Sequence, residues 1–348
     1  MAYTTVDDPG IYFKTITYTG NATDDRTVTG VGFQPDWLWI KNRTDTEQHR
    51  VQDAVRGATK NIKTSGNGVE ETTSNTVKSF DSDGFTLGVD NAINGNSDSM
   101  VSWNWKANGQ GSSNTSGTIN STYTSANTTA GFSIVSYTGT GSAGTIGHGL
   151  GVKPQAIIVK NLEATENWMV YHEKLDASAP EDYYILLNGN AVRVNNATTW
   201  NDTAPTTTLF TVGTHDATNK SGDKHIAYCF ADIQGYSKFG SYVGNGNADG
   251  PMINTGFRPA WVMIKANDSE NWIIFDNKRP GYNLTDALLK PNLSNAESTS
   301  GVKFDMLSNG FKVRVNDAEG NGNGSSYYYF AFAESPFVNS SGAATNAR

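Results

Sequence analysis

The sequence GFQPDWLWIK at residues 32–41 decides the fold, because similar sequences return twice along the chain. They are GVKPQAIIVK at residues 151–160 and GFRPAWVMIK at residues 256–265. Proline fixes φ and has no N–H to give to a sheet, so it is typical of the start of a strand. The consecutive apolar residues that follow predict a strand buried on both faces, as in the middle of a sandwich.

Other segments recur in the same order around this strand. A strand ending in tyrosine and glycine precedes it, as FKTITYTG at 13–20, FSIVSYTG at 132–139 and, shortened, FGSYVG at 239–244. An aromatic strand closes each unit, as VSWNW at 101–105, IAYCF at 226–230 and YYFAF at 328–332. The tyrosine-to-proline spacing is the same three times, so we expect three tandem copies of one unit of roughly 100 residues.

The composition favours an all-β fold. Hydrophobic residues make up 36% of the chain and charged residues only 17%, yet it has 8 Trp, 15 Tyr and 15 Phe. Aromatic residues among many Gly, Ser, Thr and Asn are typical of short strands joined by tight turns. We expect three β-sandwich repeats with almost no helix, the one helical candidate being residues 284–290. The expected boundaries are repeats at 1–106, 131–235 and 236–337, a Ser/Thr/Gly/Asn-rich linker or loosely paired arm at 107–130, and a flexible tail at 338–348.

The charge, the hydropathy and the single cysteine argue against a nucleic-acid-binding or membrane protein and against a disulfide-bonded one. The formal net charge is −8 and no cluster of Lys and Arg stands out, so we expect no nucleic-acid partner. No run of 18 apolar residues occurs, so we expect no membrane insertion. Cys229 has no second cysteine to pair with inside the chain, which suits a protein that folds in a reducing cytoplasm.

Four residues are candidates for ligand binding. Trp168, Trp200 and Trp272 are placed less securely in the core than the tryptophans of the repeated strands, and an open indole stacks well on a sugar. His148 stands between two glycines in a loop, where its imidazole could line a ligand groove. Burial in the core is the alternative for the tryptophans, and a hydrogen-bonded structural role is the alternative for the histidine.

Asp81 and Asp83 are candidates for a calcium site. Calcium takes about six oxygen ligands, and only Asp90 stands nearby as a third carboxylate. A hairpin turn at Gly84 is therefore the favoured interpretation, and calcium is the one cofactor kept open.

Signatures of catalysis are missing or weak. Glycines at 139, 141 and 144 match G-x-G-x-x-G, but no helix follows to meet a phosphate. No G-x-S-x-G sequence occurs, and the carboxylates Glu181, Asp182 and Asp276 are not repeated between copies. We predict a protein that is not an enzyme, although carboxylates assembled in space could still act as in a glycosidase.

Three segments carry a resemblance to a known family, namely WNWKANG at 103–109, TTAGFSIV at 128–135 and GHGLGVKP at 147–154. The chain resembles repeat proteins of bacteriophage particles, especially of marine phages, that occur in tail fibres and other surface proteins. The resemblance implies a concanavalin- or jelly-roll-like sandwich. It also implies assembly in the host cytoplasm, a place on the virion surface and other virion proteins as partners. It implies no catalytic residues.

Three functions are expected candidates. The first is a non-catalytic tail-fibre or tip protein that recognises the host, through a surface glycan. The alternatives are a capsid-decoration, knob or fibre structural protein, and a polysaccharide-degrading tailspike. The first unit begins by Tyr12 and no heptads occur, which favours a compact tip, knob or decoration protein over a long fibre. A symmetric homo-oligomer is expected, with a trimer favoured.

Overall fold

The structure, a computed structural model, describes residues 2–281 and 283–345. Over those residues the protein consists of antiparallel strands with a few single helical turns, which confirms the prediction of an all-β fold with almost no helix. No helix in this part of the chain is long and apolar enough to cross a membrane. The helical turns are α1 (Asn91–Asn94), α2 (Ala197–Trp200), α3 (Asp216–Asn219) and α4 (Ala318–Asn321), with 3-10 turns at Pro9–Ile11 and Pro180–Asp182.

Three main sheets hold most of the strands, and the order of the strands within each sheet is the order in which they pair. The first main sheet contains β1 (Phe13–Thr19), β9 (Ser99–Trp105), β3 (Trp37–Asn42), β4 (Arg50–Asp53), β5 (Lys60–Lys63) and β6 (Glu71–Thr72). The second contains β10 (Ser121–Asn127), β11 (Phe132–Thr138), β18 (Lys224–Phe230), β13 (Ala156–Asn161), β14 (Met169–His172), β15 (Tyr183–Leu186) and β16 (Val194–Asn195). The third contains β19 (Ser237–Val243), β25 (Ser326–Pro336), β21 (Phe257–Ala266) and β22 (Ile273–Asp276).

Three small sheets accompany the main sheets. The first small sheet contains β2 (Arg26–Thr29), β8 (Gly84–Leu87) and β7 (Val77–Asp81). The second contains β12 (Gly144–Gly147) and β17 (Leu209–Val212). The third contains β20 (Met252–Asn254), β24 (Gly310–Val313) and β23 (Phe304–Leu307).

The repeated segments of the sequence take equivalent places in the main sheets. The strand order is β1-β9-β3-β4 in the first, β11-β18-β13-β14 in the second and β19-β25-β21-β22 in the third. In each sheet the strand that carries the apolar run after the repeated proline has a neighbour on both sides. β3 and β13 are buried at every residue, as the sequence predicted.

The two faces of each main sheet enter different cores. Along β3, Trp37 and Trp39 enter a central core, whereas Leu38 and Ile40 enter the first peripheral core, which lies between the first main and first small sheets. The second and third peripheral cores lie in the same way between the other main sheets and their small sheets. The central core takes side chains from all three main sheets, among them Trp105, Phe132, Tyr228, Phe239, Trp261 and Phe330.

Part of the expected linker is a paired strand. Residues 121–127 form β10, which pairs antiparallel with β11 along its length. The alternative of a paired arm therefore describes this part of residues 107–130. At the other end of the chain, within the expected tail, the Ser340 hydroxyl donates to Asp7. Residues 346–348 of that tail lie outside the described residues.

The expected helix at residues 284–290 is wrong. Single β-bridges join Thr285 to Phe304 and Leu289 to Ile274. Leu288 and Leu289 are buried, because this extended segment covers the outer side of β22 and fills two different cores with successive side chains. An extended chain places successive side chains on opposite faces, which a helical turn cannot do.

Candidate functional site

The three main sheets hold one another through a ring of buried side-chain hydrogen bonds. In each, an aromatic side chain from the closing strand reaches the end of a strand in another main sheet, or the turn that follows it. The first sheet contacts the third, the third contacts the second and the second contacts the first, which closes the ring. The bonds are Trp103 Nε1 to Asp276 Oδ2 at 2.9 Å, Tyr328 Oη to Leu175 O at 3.3 Å, and Tyr228 Oη to Asp53 Oδ2 at 2.7 Å.

Trp168 and Trp272 belong to a second ring of contacts. Both indoles are fully buried, and each donates its N–H to a backbone carbonyl of another main sheet. His49 takes the equivalent place in the first main sheet and lies against the backbone of Lys290. Neither indole has an open face for a sugar, which corrects the expectation of ligand platforms. The bonds are Trp168 Nε1 to Lys63 O at 3.0 Å and Trp272 Nε1 to Leu186 O at 2.7 Å.

Trp200 and His148 are buried as well, so the expectation that they line a ligand site is corrected for both. Trp200 packs in the second peripheral core and donates its indole N–H to Tyr183 O at 3.1 Å. His148 Nδ1 accepts the backbone N–H of Leu150, and Nε2 lies 3.2 Å from Thr206 O. Burial lowers the pKa of His148, which keeps the ring neutral and able to join these two loops.

The carboxylates of Asp81 and Asp83 accept hydrogen bonds from groups in and beside the first small sheet. Asp83 accepts the backbone N–H groups of Gly32 at 2.6 Å and Gly30 at 3.1 Å. Asp81 accepts two side-chain hydroxyls at 2.8 Å. In the described part of the chain, no group of three or more His, Cys, Asp or Glu is placed to hold a metal ion. The geometry is that of a hairpin turn with its loop capped by carboxylates.

An open cleft of about 490 Å³ lies beside the third main sheet, and we call it the acidic cleft. Lys290 forms an ion pair with Glu319, which also accepts a hydrogen bond from Asn271 at 3.1 Å. Burial and the neighbouring Glu319 and Asp317 raise the pKa of Glu270. Glu270 therefore keeps its proton to a higher pH than an ordinary glutamate, as a general acid must. The polar lining consists of Glu270, Lys290, Asn295, Ser298, Ser300, Asp317 and Glu319.

A second open cleft of about 510 Å³ lies between the second and third main sheets, and we call it the groove. Arg193 lies over the ring of Tyr183, 4.4 Å from its centroid, and pairs with Asp176 at 3.1 Å. Val243 beside it is 60% exposed. A guanidinium held by two partners, a carboxylate and one exposed apolar side chain can contact both polar and apolar groups of a ligand. The lining includes Lys174, Asp176, Arg193, Ser241, Val243, Asn267 and Tyr328.

A family match covers nearly all of these elements. It runs from residue 8 to residue 336, that is, from just before β1 to the last residue of β25. The chain belongs to the family described as Domain of unknown function (DUF7483). No curated protein matches the chain. The unit that defines the DUF7483 family therefore includes all three main sheets and both rings of contacts.

The DUF7483 chain also holds a repeated buried asparagine that sequence reasoning missed. Asn94, Asn219 and Asn321 end α1, α3 and α4, and their side-chain amides donate to backbone carbonyls of the neighbouring loops. The signal was a helix-capping residue four positions earlier, at Asp90, His215 and Asp317. The carbonyl just before each asparagine accepts the repeated tyrosine, in the bonds Tyr18 to Ile93 O, Tyr137 to Thr218 O and Tyr242 to Gly320 O.

Three buried lysines are the next-to-last residues of the repeated central strands of the DUF7483 chain. Lys41, Lys160 and Lys265 each donate to backbone carbonyls of the corner that follows the strand. Lys160 also reaches Asn67 O, which follows β5 of the first main sheet, at 3.3 Å. Burial lowers the pKa of each lysine to about 8. These lysines therefore hold the corners of their own sheets, and Lys160 also joins the second main sheet to the first.

Proposed function

We propose that the chain consists of three tandem β-sandwich repeats, at residues 1–106, 131–235 and 236–337, that close on one another in a ring. The shared strand order supports this arrangement, as do the small sheet opposite each main sheet and the two rings of contacts. Each repeat is then one main sheet with its small sheet, except that β10 of the second main sheet comes from the segment 107–130. This is the concanavalin- or jelly-roll-like sandwich that the resemblance implies.

We propose further that this block is a non-catalytic protein of a bacteriophage surface that recognises the host through a surface glycan. The observation that carries this proposal is the groove, where Arg193 is held by Tyr183 and Asp176 beside an exposed apolar residue. A site on a rigid scaffold loses little conformational entropy on binding, so a few contacts suffice for recognition. The resemblance of residues 103–154 supports the virion surface as its place, with other virion proteins as neighbours.

Binding to host cells tests host recognition. Purified protein should bind the cells saturably and block adsorption of the intact phage, and a glycan array then identifies the sugar. Arg193→Ala should weaken this binding about tenfold, because a charge-assisted hydrogen bond is lost. Arg314→Ala is the matched control, since Arg314 lies by the third small sheet and pairs with Asp305 and Asp249. Wild-type protein that binds no host cell would overturn the proposal.

A capsid-decoration or structural role is favoured by a different observation. The tryptophans expected to meet a sugar join the main sheets instead, as Trp168 and Trp272 do. Protein found in purified virions that binds neither cells nor glycans would support this second function. The expected homotrimer is part of either function, and sedimentation velocity at micromolar concentration tests it. A species with the mass of one chain would overturn the trimer.

Hydrolysis of a surface polysaccharide is favoured by the acidic cleft, where Glu270 has a raised pKa near Glu319 and Asp317. Such carboxylates can divide the roles of acid and base. Incubation with host polysaccharide should then release reducing ends, and Glu270→Gln should abolish the release while Asn295→Ala keeps most of it. No release by the wild-type protein would exclude this function for that polysaccharide.

A further inference from the structure

One edge of the second main sheet carries a strand that the other two main sheets lack. β10 pairs with β11 there, whereas in the described part of the chain the equivalent strands β1 and β19 pair only with β9 and β25 inside their main sheets. The loop between β10 and β11 is only four residues long, which explains why this edge is filled from within the chain. Over the residues that the structure describes, no strand pairs with the same edge of β1.

The hydrogen-bond ladder shows which groups of β1 face outward. The bonds Lys106 N to Tyr12 O and Gly20 N to Asp98 O bracket the strand, so even-numbered residues of β1 bond to β9. The N–H and C=O groups of Thr15, Thr17 and Thr19 therefore point to the edge. Thr17 and Thr19 are exposed, and the Thr15 hydroxyl is buried without a partner among the described residues.

The second main sheet shows what fills such an edge. At the positions equivalent to Thr15 and Thr17, Ile134 and Ser136 face β10 and lie opposite Ser125 and Tyr123. β10 reads STYTSAN, an extended segment of small hydroxyl side chains with one aromatic ring. Ser125 is fully buried in this pairing, and its hydroxyl accepts the backbone N–H of Asn108 at 2.8 Å.

The edge of β19 is partly covered by neighbouring residues. Its first half is covered by the preceding turn, in which Ile233 and Ser237 exchange backbone bonds. The carboxylate of Asp232 also accepts the N–H of Phe239 at 2.8 Å. The corresponding half of β1 is covered too, because Phe13 and Thr15 are buried. The exposed part of the β1 edge is its second half, at Thr17 and Thr19.

We propose that the edge of β1 is a strand-addition site that accepts an extended, Ser/Thr-rich segment of another polypeptide. The added strand runs antiparallel to β1, as β10 runs on β11. Its backbone supplies the main-chain hydrogen bonds at the exposed residues Thr17 and Thr19, and its small hydroxyl side chains lie opposite them. An open edge strand is a general template for such pairing, and the chain itself contains the pattern for its occupant.

A peptide of residues 119–129 is the probe, labelled with a fluorophore and titrated with the full chain. Thr17→Pro removes one outward N–H, and proline is tolerated at that position of an edge strand, so the variant should fold. Thr17→Val keeps the N–H and is the matched control. We expect saturable binding to the wild type and to Thr17→Val, and binding at least about tenfold weaker to Thr17→Pro. The same peptide with Ser125→Pro should not bind, which tests the pairing even if Thr17→Pro fails to fold.

Three outcomes would overturn the proposal. The first is no saturable binding to the wild type. The second is equal binding to folded Thr17→Pro, which would place the peptide elsewhere, for example in exchange with β10. The third is self-association of the wild type that Thr17→Pro abolishes, since a second copy of the chain would then be the occupant. Sedimentation velocity without peptide distinguishes this third outcome.

Discussion

The central core and the first peripheral core take side chains from opposite faces of the same strands. The central core joins the three main sheets to one another, whereas the first peripheral core joins the first main sheet to its small sheet. The central core packs aromatic rings from all three main sheets, and the Trp37 ring lies 4.4 Å from that of Trp105 and 4.7 Å from that of Tyr228. The first peripheral core is mainly aliphatic and belongs to one main sheet and its small sheet. Each sheet pair can therefore bury one face alone, whereas its other face is buried only with the other two.

The central core also explains why the sequence repeat is imperfect. Two residues after the repeated proline stand Trp37, Ala156 and Trp261. Both tryptophans already contact Trp105, at centroid distances of 4.4 and 5.5 Å. A third ring would overfill this space, and overpacking a core is also destabilising. Equivalent strands must therefore carry side chains of different size at the positions that meet in the central core.

Removing a ring from the central core should be the most damaging single change. Trp105 is fully buried against Phe13, Trp37, Trp261 and Phe332, which come from two main sheets. We expect Trp105→Ala to lower the free energy of unfolding by about 4 kcal/mol. Urea denaturation followed by circular dichroism measures the loss. Hydrogen exchange should become faster in all three main sheets.

Phe85→Ala is the matched change in the first peripheral core. Phe85 is fully buried too, so a similar loss of about 3–4 kcal/mol is expected. Its effect on hydrogen exchange should be confined to the first main and first small sheets. If Trp105→Ala also changed hydrogen exchange only in the first main and first small sheets, the central core would not link the stability of the three main sheets.

Substitution of Asp276 should give the next largest loss of stability. Its carboxylate joins two main sheets through a hydrogen bond and is itself held by an ion pair. Its buried carboxylate accepts the Trp103 indole and pairs with Arg279 at 2.6 Å. Asp276→Asn keeps the shape but leaves Arg279 with Glu297 alone, which should cost about 3 kcal/mol. Thermal denaturation measures this. Lys78→Gln, which breaks exposed ion pairs, should change nothing measurable, and equal losses would contradict the comparison.

Local signals made the main strands predictable. The proline and the apolar run that follows it lie within ten consecutive residues. The position of β3 and β13 inside their sheets, with a strand on each side, could therefore be predicted from these residues alone. The closing strands were equally visible as runs of aromatic residues. The segment at 284–290 was misjudged because its leucines have a helical spacing, while their real partners lie in two different cores.

The candidate site could not be predicted in the same way, because the exposure of a side chain depends on what packs against it. Nothing near Trp168 in the sequence indicates that its indole N–H bonds to Lys63, about a hundred residues earlier. The pairing of Trp103 with Asp276 spans still more of the chain. The groove and the acidic cleft likewise exist only once the sheets are assembled.

Lys265 should show a pH-dependent effect of intermediate size. It lies on the central-core face of β21, two residues after Met263, and burial lowers its pKa from 10.5 to about 8. Between these values the unfolded chain holds a proton that the folded chain has released, so this group adds stability as the pH rises. We expect Lys265→Met to remove a rise of about 2 kcal/mol between about pH 8 and about pH 10.

The measurement is the difference in free energy of unfolding between wild type and variant at each pH, by urea denaturation. Differences are needed because burial raises the pKa of Cys229, which acts in the opposite direction in the upper part of this range. Lys224→Met, at an exposed residue of β18, is the matched control for removing a lysine charge. A constant difference for Lys265→Met would mean that its nitrogen is well solvated.

Calcium should have the smallest effect on stability. This prediction concerns the first small sheet rather than the central core. Asp83 already accepts two backbone N–H groups, and Asp81 already accepts two hydroxyls, so a metal ion would have to displace these donors for only two carboxylates. We expect the same melting temperature in millimolar calcium and in chelator. Asp83→Asn should cost about 1 kcal/mol in both, because it weakens the bonds to Gly30 and Gly32. A melting temperature that rises with calcium in the wild type but not in Asp83→Asn would instead make the first small sheet a metal-stabilised element.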